Sequence, residues 1–191
     1  MNNIVEFCPA NRQEWRDWLL ANHEDEQALW LIFYKKKSPN YNLSWSDAVD
    51  EALCFGWIDS VKYPVDDMRF KQYFSKRKPK SIWSKINKDK VEQLMKDDLM
   101  TEAGLKCIEI AKENGQWTAL DAVENLEVPA DLQSALNGHE VAKAFFERLN
   151  KSTTKHMLYW IHSAKRPETR AKRVKQIVDC AKVEEKPKMF R

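Results

Sequence analysis

The stretch "EALCFGWIDSVKYPVDDMRFKQYFS", residues 51–75, decides the fold of the N-terminal half of the chain. It opens in a helical apolar pattern that stops at Gly56, and glycine accepts the left-handed conformation found at many helix ends. Side chains then alternate with a period of two over residues 57–65 and again over 68–75, with "DD" between the two runs. This alternation is typical of half-buried strands, so the stretch predicts an antiparallel hairpin over residues 57–75.

The residues before this stretch predict a helix, a strand and a second helix. Asn11 can cap the first helix, which carries Trp15 on its apolar face. The run "ALWLIFYKKK" from Ala28 is rich in β-branched and aromatic residues, which favours a buried strand. Ser44 or Ser46 can cap the helix that Gly56 ends. We expect the hairpin to pack on the Trp15 helix and on the strand from Ala28.

The rest of the chain reads as helical. Apolar residues recur at helical spacing in residues 84–98, 101–115, 140–149, 152–164 and 167–181. Ser152 can cap one of these helices and Pro167 suits the first turn of the last. The predicted class is α+β, with a small antiparallel sheet and helices in the N-terminal half. The C-terminal half is predicted to be all-helical and to end in a three-helix cluster. The predicted domains are residues 1–100 and 101–191, the latter with helices from about 130 to 182.

Composition predicts a globular protein. The 191 residues are 43% hydrophobic and 32% charged and include eight tryptophans, too apolar a composition for a disordered chain. No apolar run approaches the ~18 residues that span a bilayer, so we expect no membrane insertion and a cytoplasmic location. The four cysteines form no C-x-x-C pair, and no phosphate-binding loop, nucleophile elbow or zinc motif is present. We therefore expect reduced thiols, no metal, no cofactor and no recognisable catalytic residue.

The net charge of +3 hides two basic islands. Residues 62–90 contain ten basic and three acidic residues, and residues 151–182 contain nine basic and two acidic residues. The remaining residues are together acidic. Two basic islands on an acidic body predict a place where anions bind.

The first island suggests an anion-binding cleft. In "FSKRKPKSIWSKIN", residues 74–87, five cations stand among Trp83, two serines and an asparagine just before a helix. Helix N-termini with nearby cations bind phosphate or carboxylate, although Ser81 or Ser84 could simply cap the helix in a solvated loop. Asp59 is expected to accept hydrogen bonds from Arg69 or Arg77, or to contact a ligand. The candidate ligand-binding residues here are Asp59, Ser60, Arg69, Arg77, Lys80, Ser81, Trp83, Lys85 and Asn87.

The second island repeats the arrangement in "AKRPETRAKRVK", residues 164–175. Arg166 stands at a predicted helix start, and Thr169, Arg170 and Arg173 lie within the first two turns. The planar guanidinium group of arginine can donate two hydrogen bonds to a phosphate or carboxylate. The alternative to a binding site is a charged helix face that contacts only solvent. We predict that Arg166, Thr169 and Arg170 share one cleft with the residues of the first island.

At these residues the chain resembles the YdeI or OmpD-associated family of bacteriocin-protection proteins. "WRDWLLANH", "EALCFGWIDS", "FSKRKPKSIWSKIN" and "LYWIHSAKRPETRAKRV" carry the resemblance. It implies an N-terminal part of the YjbR/CyaY-like kind, a C-terminal helical domain and a role in protection against bacteriocins and antimicrobial peptides. The chain departs from the resemblance before Met100, where Asp98 and Leu99 stand in place of an expected glycine.

Three functions from different classes remain open at this point. The first is a non-enzymatic stress-protection protein that binds an anionic small molecule or a protein partner through both islands. The second is a nucleic-acid-binding protein, in which cations contact the backbone and aromatic side chains stack on bases. The third is an enzyme that uses a cleft of aspartate, serine and arginine.

Overall fold

The computed structural model describes residues 4–191, which divide into two compact units. The boundary between the units in the chain lies between Thr118 and Ala119. The first unit contains β1 (Val5–Phe7), α1 (Arg12–Asn22), β2 (Ala28–Tyr34), α2 (Trp45–Cys54), β3 (Trp57–Pro64), β4 (Arg69–Lys76), α3 (Lys85–Lys96) and α4 (Glu102–Glu113). The second contains α5 (Asp121–Glu124), α6 (Ala130–Asn137), α7 (Glu140–Glu147), α8 (Lys151–His162), α9 (Pro167–Ala181) and a short 3-10 helix (Lys188–Phe190). The predicted α+β class is confirmed.

The four-stranded sheet of the first unit has the order β1-β2-β4-β3. The predicted hairpin is confirmed, because β3 and β4 pair antiparallel and β4 pairs antiparallel with β2. β1 was not predicted, and it lies parallel to β2, so the sheet is mixed rather than purely antiparallel. Three residues are too few to show a strand period, which is why the sequence did not reveal β1.

The helix end inside the opening stretch is a close contact between α2 and α4. Gly56 has φ +71°, the left-handed conformation predicted for it, and a Cβ there would lie 2.6 Å from Cys107 Sγ. Thr101 Oγ1 donates a hydrogen bond of 2.7 Å to the carbonyl of Cys54. A Cβ on Gly104 would lie 2.3 Å from that same carbonyl oxygen. The glycines at both positions therefore let α4 pack directly on the end of α2.

Aromatic side chains form the core between the sheet and the helices. Trp15 and Trp57 have no exposed surface, and the rings of Trp15 and Phe74 lie 5.5 Å apart, edge to face. Trp15 Nε1 also donates a 3.0 Å hydrogen bond to the carbonyl of Ala48 in α2. The hairpin therefore packs on the Trp15 helix, as predicted, and the complete burial of Trp57 makes it part of this core.

The boundary between the units lies later in the chain than residue 100. Ile108 and Ala111 of α4 are buried in the core of the first unit, so α4 belongs with the sheet. At the predicted departure from the family pattern, Asp98 has φ +55° just after the end of α3. Aspartate accepts this left-handed conformation better than most residues, which explains how the chain turns there without glycine.

The second unit is a cluster of short helices around an aliphatic core. α9 contacts each of α6, α7 and α8, and the shared core is built from Leu132, Leu136, Phe146, Met157, Ile161 and Ile177. α8 begins at Lys151 and is capped by Asn150, whose side chain accepts from the backbone N–H of Thr153; the predicted cap at Ser152 was wrong. Pro167 stands in the first turn of α9, as predicted. No helix within residues 4–191 has the length and apolar character needed to cross a bilayer.

Candidate functional site

A groove of about 620 Å³ lies between α6 and α9 in the second unit. Its floor is apolar and is formed by Ala135 of α6 together with Ala171, Val174 and Val178 of α9. Positions three or four apart on a helix share a face, so these three residues of α9 form one continuous strip. This strip was not predicted from the sequence, because apolar residues at helical spacing equally indicate core.

Ion pairs border the groove. Arg170 donates from Nε to Asp131 Oδ2 at 2.6 Å and from Nη2 to Oδ1 at 3.0 Å. This bidentate ion pair joins α9 to α6. Hydrogen bonding from Arg170 lowers the pKa of Asp131 below its ordinary value. Further along α9, Asp179 accepts from both Lys175 and Lys182, which lowers the pKa of Asp179. The border is therefore charged while the floor is apolar.

Of the three predicted residues in this unit, the structure brings only Arg170 into the groove. Arg166 is exposed and precedes the first turn of α9, and its carbonyl accepts from the N–H of Arg170. Thr169 is half-buried. Arg173, which the sequence also placed within the first two turns of the helix, donates to the carbonyl of Trp160, and its guanidinium carbon lies 5.1 Å from the centre of the Trp160 ring. Arg173 therefore supports the helix packing.

In the first unit, the predicted partners of Asp59 were wrong. Asp59 Oδ2 accepts hydrogen bonds of 2.9 Å from Trp45 Nε1 and from Gln72 Nε2. Arg69 instead forms an ion pair with Asp66, three residues earlier. The reason is register: Asp59 pairs with Phe74, about 17 Å along the strand from Arg69 at ~3.4 Å per residue. Ser60, the next candidate ligand-binding residue, is exposed, and its carbonyl accepts from Gln72.

Arg77 packs inside the unit, and the hydrogen bonds of its guanidinium do not include one to Asp59, although the charge of Asp59 acts to raise the pKa of Arg77. Its side chain is only 9% exposed, and the guanidinium carbon lies 3.8 Å from the centre of the Trp83 ring. Nη1 donates a 3.2 Å hydrogen bond to the carbonyl of Ile82. Burial lowers the pKa of Arg77 to about 10, so the group still carries its charge at neutral pH.

The other predicted residues of the first island occupy three kinds of position. Trp83 is buried, with 1% of its surface exposed. Lys80 is exposed, and Lys85 forms an exposed ion pair with Asp89 one helical turn later. Ser81 is half-buried and follows a tight turn. Ser84 caps α3 by accepting from the N–H of Asn87, which is the helix-cap alternative to a ligand site.

The first unit contains a buried charge network that was not predicted from the sequence. Glu51 of α2 is 3% exposed and accepts hydrogen bonds from Arg12 Nε at 2.5 Å and from Arg16 Nη1 at 2.6 Å. A glutamate within an apolar helical run is the signal that could have shown it. The network fixes α1 to α2. Among residues 4–191, no three histidine, cysteine or acidic side chains come close enough to hold a metal ion.

Arg166, Thr169 and Arg170 belong to the second unit and the remaining predicted residues to the first. The single cleft shared by both islands therefore stays a prediction.

Two family models match the chain. Residues 7–107 match a family described as Domain of unknown function (DUF8412). Residues 125–183 match the family described as Bacteriocin-protection, YdeI or OmpD-Associated, which confirms the resemblance found in the sequence. Neither a curated protein nor a solved structure matches the chain. The YjbR/CyaY-like character of the N-terminal part stays a prediction. Every residue that borders the α6–α9 groove lies within the second match.

Proposed function

Because the chain belongs to the family described as Domain of unknown function (DUF8412), and its residues 125–183 to the YdeI or OmpD-associated family, we propose that it contributes to bacteriocin protection. It does so by binding a protein partner, without catalysing a reaction. The binding site is the groove between α6 and α9. We include a cytoplasmic location in the proposal, because the four free cysteines suit a reducing compartment.

The apolar floor of the groove is the observation that carries this proposal. A volume of about 620 Å³ falls within the range of ligand-binding clefts, and Ala135, Ala171 and Val174 offer short side chains that leave room for larger ones. An amphipathic helix buries its apolar face in such a groove through side chains spaced three or four residues apart. The groove therefore suits an amphipathic segment of a partner.

Charge defines the chemistry of that segment. Between Lys165 and Lys182 the chain has seven basic residues and two acidic residues. At the groove itself, Lys175 and Lys182 share the single carboxylate of Asp179, so the border keeps an excess of positive charge. Complementary charge speeds association and selects partners. We therefore propose that the partner segment carries acidic side chains beside its apolar face.

The test is a substitution that fills the groove with a larger side chain and leaves the core unchanged. Ala171 lies on the floor of the groove yet is exposed, so Ala171→Trp should occupy the groove while the helix stays folded. Ala144→Trp is the matched control, because Ala144 is also an exposed helical alanine but does not border the groove. The probe is a synthetic amphipathic helix with leucines at four-residue spacing and glutamates beside them, and binding is measured by fluorescence anisotropy.

We expect Ala171→Trp to weaken probe binding at least about tenfold, a loss of about 1.4 kcal/mol, and Ala144→Trp to leave it unchanged. The wild-type protein should give cells resistance to a bacteriocin, and cells that carry Ala171→Trp should lose this resistance. The proposal would be contradicted if the wild-type protein and both variants bound the probe equally well. It would also be contradicted if the wild-type protein bound a peptide with lysines in place of the glutamates as tightly as the probe. Unchanged resistance in the Ala171→Trp cells would contradict it as well.

A second candidate function, single-stranded nucleic-acid binding, is favoured by one face of the sheet. Trp30 lies 5.0 Å from Tyr73 and 5.5 Å from Tyr63 between ring centres, and Lys71 Nζ lies 5.0 Å from the centre of the Trp30 ring. These residues alternate with the buried ones, so they lie on the face opposite the core. Aromatic side chains beside cations are what bases and phosphates contact in such proteins.

This candidate is tested with a labelled single-stranded oligonucleotide at increasing salt. Affinity should fall steeply with salt concentration, and Tyr63→Ala should weaken binding several-fold because Tyr63 is 52% exposed on this face. Tyr41→Ala is the control, because Tyr41 is 43% exposed in a loop after β2. An affinity that neither salt nor Tyr63→Ala reduces would refute the candidate.

A further inference from the structure

The buried charge of Arg77 has no counter-charge in contact with it. Within residues 4–191, Arg77 takes part in no ion pair, and its Nε is a buried donor without a hydrogen-bond partner. The ring of Trp83 covers one face of the guanidinium, and the carbonyl of Ile82 accepts from Nη1. Neither of these groups carries a negative charge. A buried charge that is not compensated costs several kcal/mol, so a compensating group is expected nearby.

A small cavity lies beside this charge. It has a volume of about 20 Å³ and is bordered by Arg77 and Trp83, with Pro79, Cys107, Ile110 and Ala111 among the other residues around it. Trp83 Nε1 is a second buried donor without a partner. Two unpaired N–H groups thus belong to side chains that border one cavity, while proline, isoleucine and alanine make much of the remaining wall apolar.

The size and the donors of the cavity select its occupant. A cavity of this volume holds one small particle and excludes phosphate, sulfate and carboxylates. Water would accept from the two N–H groups, but its own hydrogens would need acceptors, and Arg77 would keep only the carboxylate of Asp59, which does not contact it, as a counter-charge. A monovalent anion only accepts hydrogen bonds and also carries the missing charge. The observations therefore favour an anion over water.

We propose that the cavity between Arg77 and Trp83 binds a single small monovalent anion of the size of chloride. The anion accepts hydrogen bonds from Arg77 Nε and Trp83 Nε1, and it joins the end of β4 to the segment before α3 and to α4. This site differs from the surface anion cleft that the sequence predicted, because its ligand is buried within the first unit. It is also independent of the α6–α9 groove.

An anion that binds the folded state alone raises thermal stability in proportion to the logarithm of its concentration. The experiment measures the melting temperature of the full chain in sodium chloride, with sodium gluconate replacing chloride at constant ionic strength. Gluconate is too large for the cavity. We expect the melting temperature to rise by about 3 °C when chloride exceeds its half-saturating concentration tenfold.

Two variants test the site itself. Arg77→Met removes the charge, and Trp83→Phe removes one donor while it keeps an aromatic ring against the guanidinium. The readout is the difference between chloride and gluconate for each protein, so a lower melting temperature of either variant does not affect it. Arg77→Met should abolish the difference, and Trp83→Phe should raise the half-saturating chloride concentration about tenfold. Lys80→Ala, an exposed cation of the same loop, is the control and should keep the full difference.

Equal melting temperatures of the wild-type protein in chloride and gluconate would overturn the proposal, since water would then suffice. A chloride effect that persists unchanged in Trp83→Phe, and in Arg77→Met if that variant folds, would also overturn it by placing the anion elsewhere.

Discussion

The two units of the chain bury different kinds of side chain. In the first unit, Trp15, Trp57 and Trp83 have at most 1% of their surface exposed, and the sheet and helices close around them. The second unit contains only one of the eight tryptophans, Trp160, and its core is mainly aliphatic. Its short helices leave the α6–α9 groove open, whereas the largest rings of the first unit fill the space between sheet and helices.

This difference suggests that the first unit provides stability and the second provides a binding surface. A core built from large rings is rigid, because each ring contacts many neighbours and its removal leaves a large cavity. A groove floored by alanine and valine leaves apolar surface available to a partner, at the cost of a smaller core. We therefore expect stability to depend more on the buried rings and buried charges of the first unit than on the helix cap and the exposed ion pair of the second.

Trp57→Ala should have the largest effect on stability. Trp57 is fully buried at the start of β3, so its loss should lower the free energy of unfolding by about 3–5 kcal/mol. Urea denaturation followed by circular dichroism measures this. Trp45→Ala is the matched control: Trp45 is 48% exposed and its loss should cost about 1 kcal/mol or less. Similar values for the two variants would show that the ring core does not dominate the first unit.

Glu51→Gln should have the next largest effect. The change keeps the shape of the side chain but removes the charge that Arg12 and Arg16 contact, so we expect a loss of about 2–3 kcal/mol in the free energy of unfolding. Asp47→Asn is the control, because Asp47 contacts the same Arg12 but its side chain is 41% exposed. A loss for Glu51→Gln no greater than for Asp47→Asn would mean that the buried network adds little to the packing of α1 on α2.

Asn150→Ala tests the helix start that the sequence placed wrongly. The Asn150 side chain accepts from the N–H of Thr153 at 2.9 Å, so its loss should cost about 1 kcal/mol. Ser152, the cap predicted from sequence, lies inside α8 and is exposed, and Ser152→Ala should change stability by a few tenths of a kcal/mol at most. Urea denaturation of both variants decides between the two caps. A larger loss for Ser152→Ala would restore the original assignment.

The sequence predicted the fold of the first unit well because its signals are local. Alternation over β3 and β4 and the glycine at position 56 depend on neighbours in the chain, and the structure confirms each of them. β1 escaped because it is short and parallel. The start of α8 was missed because Asn150 and Ser152 are both good caps, and only the backbone distinguishes them.

The candidate site was harder to predict, because it depends on pairing between distant residues. The register shift between Asp59 and Lys62 and the length of β4 separate Asp59 from Arg69, and neither can be read from the sequence. Arg77 was predicted to contact Asp59 in an anion-binding cleft, but its guanidinium packs against the buried ring of Trp83. Arg170 was found by its position near a helix start, but its partner Asp131 lies in another helix. The apolar residues on the floor of the groove could not be distinguished from core residues, because both recur at helical spacing.

Asp131→Asn should have the smallest effect, and its size depends on pH. The pair with Arg170 lowers the folded-state pKa of Asp131, so its stabilisation is present above the ordinary aspartate pKa of about 4 and is lost as pH falls through the folded-state value. Both side chains are more than a third exposed, so the contribution at neutral pH should not exceed about 1 kcal/mol. Urea denaturation of wild type and variant at pH 7 and at pH 2.5 should show a small difference that disappears in acid. Glu147→Gln, an exposed acid of α7, should show no difference at either pH. A difference that persists in acid would mean that Asp131 acts through shape rather than charge, and the ion-paired border of the groove would then not depend on this carboxylate.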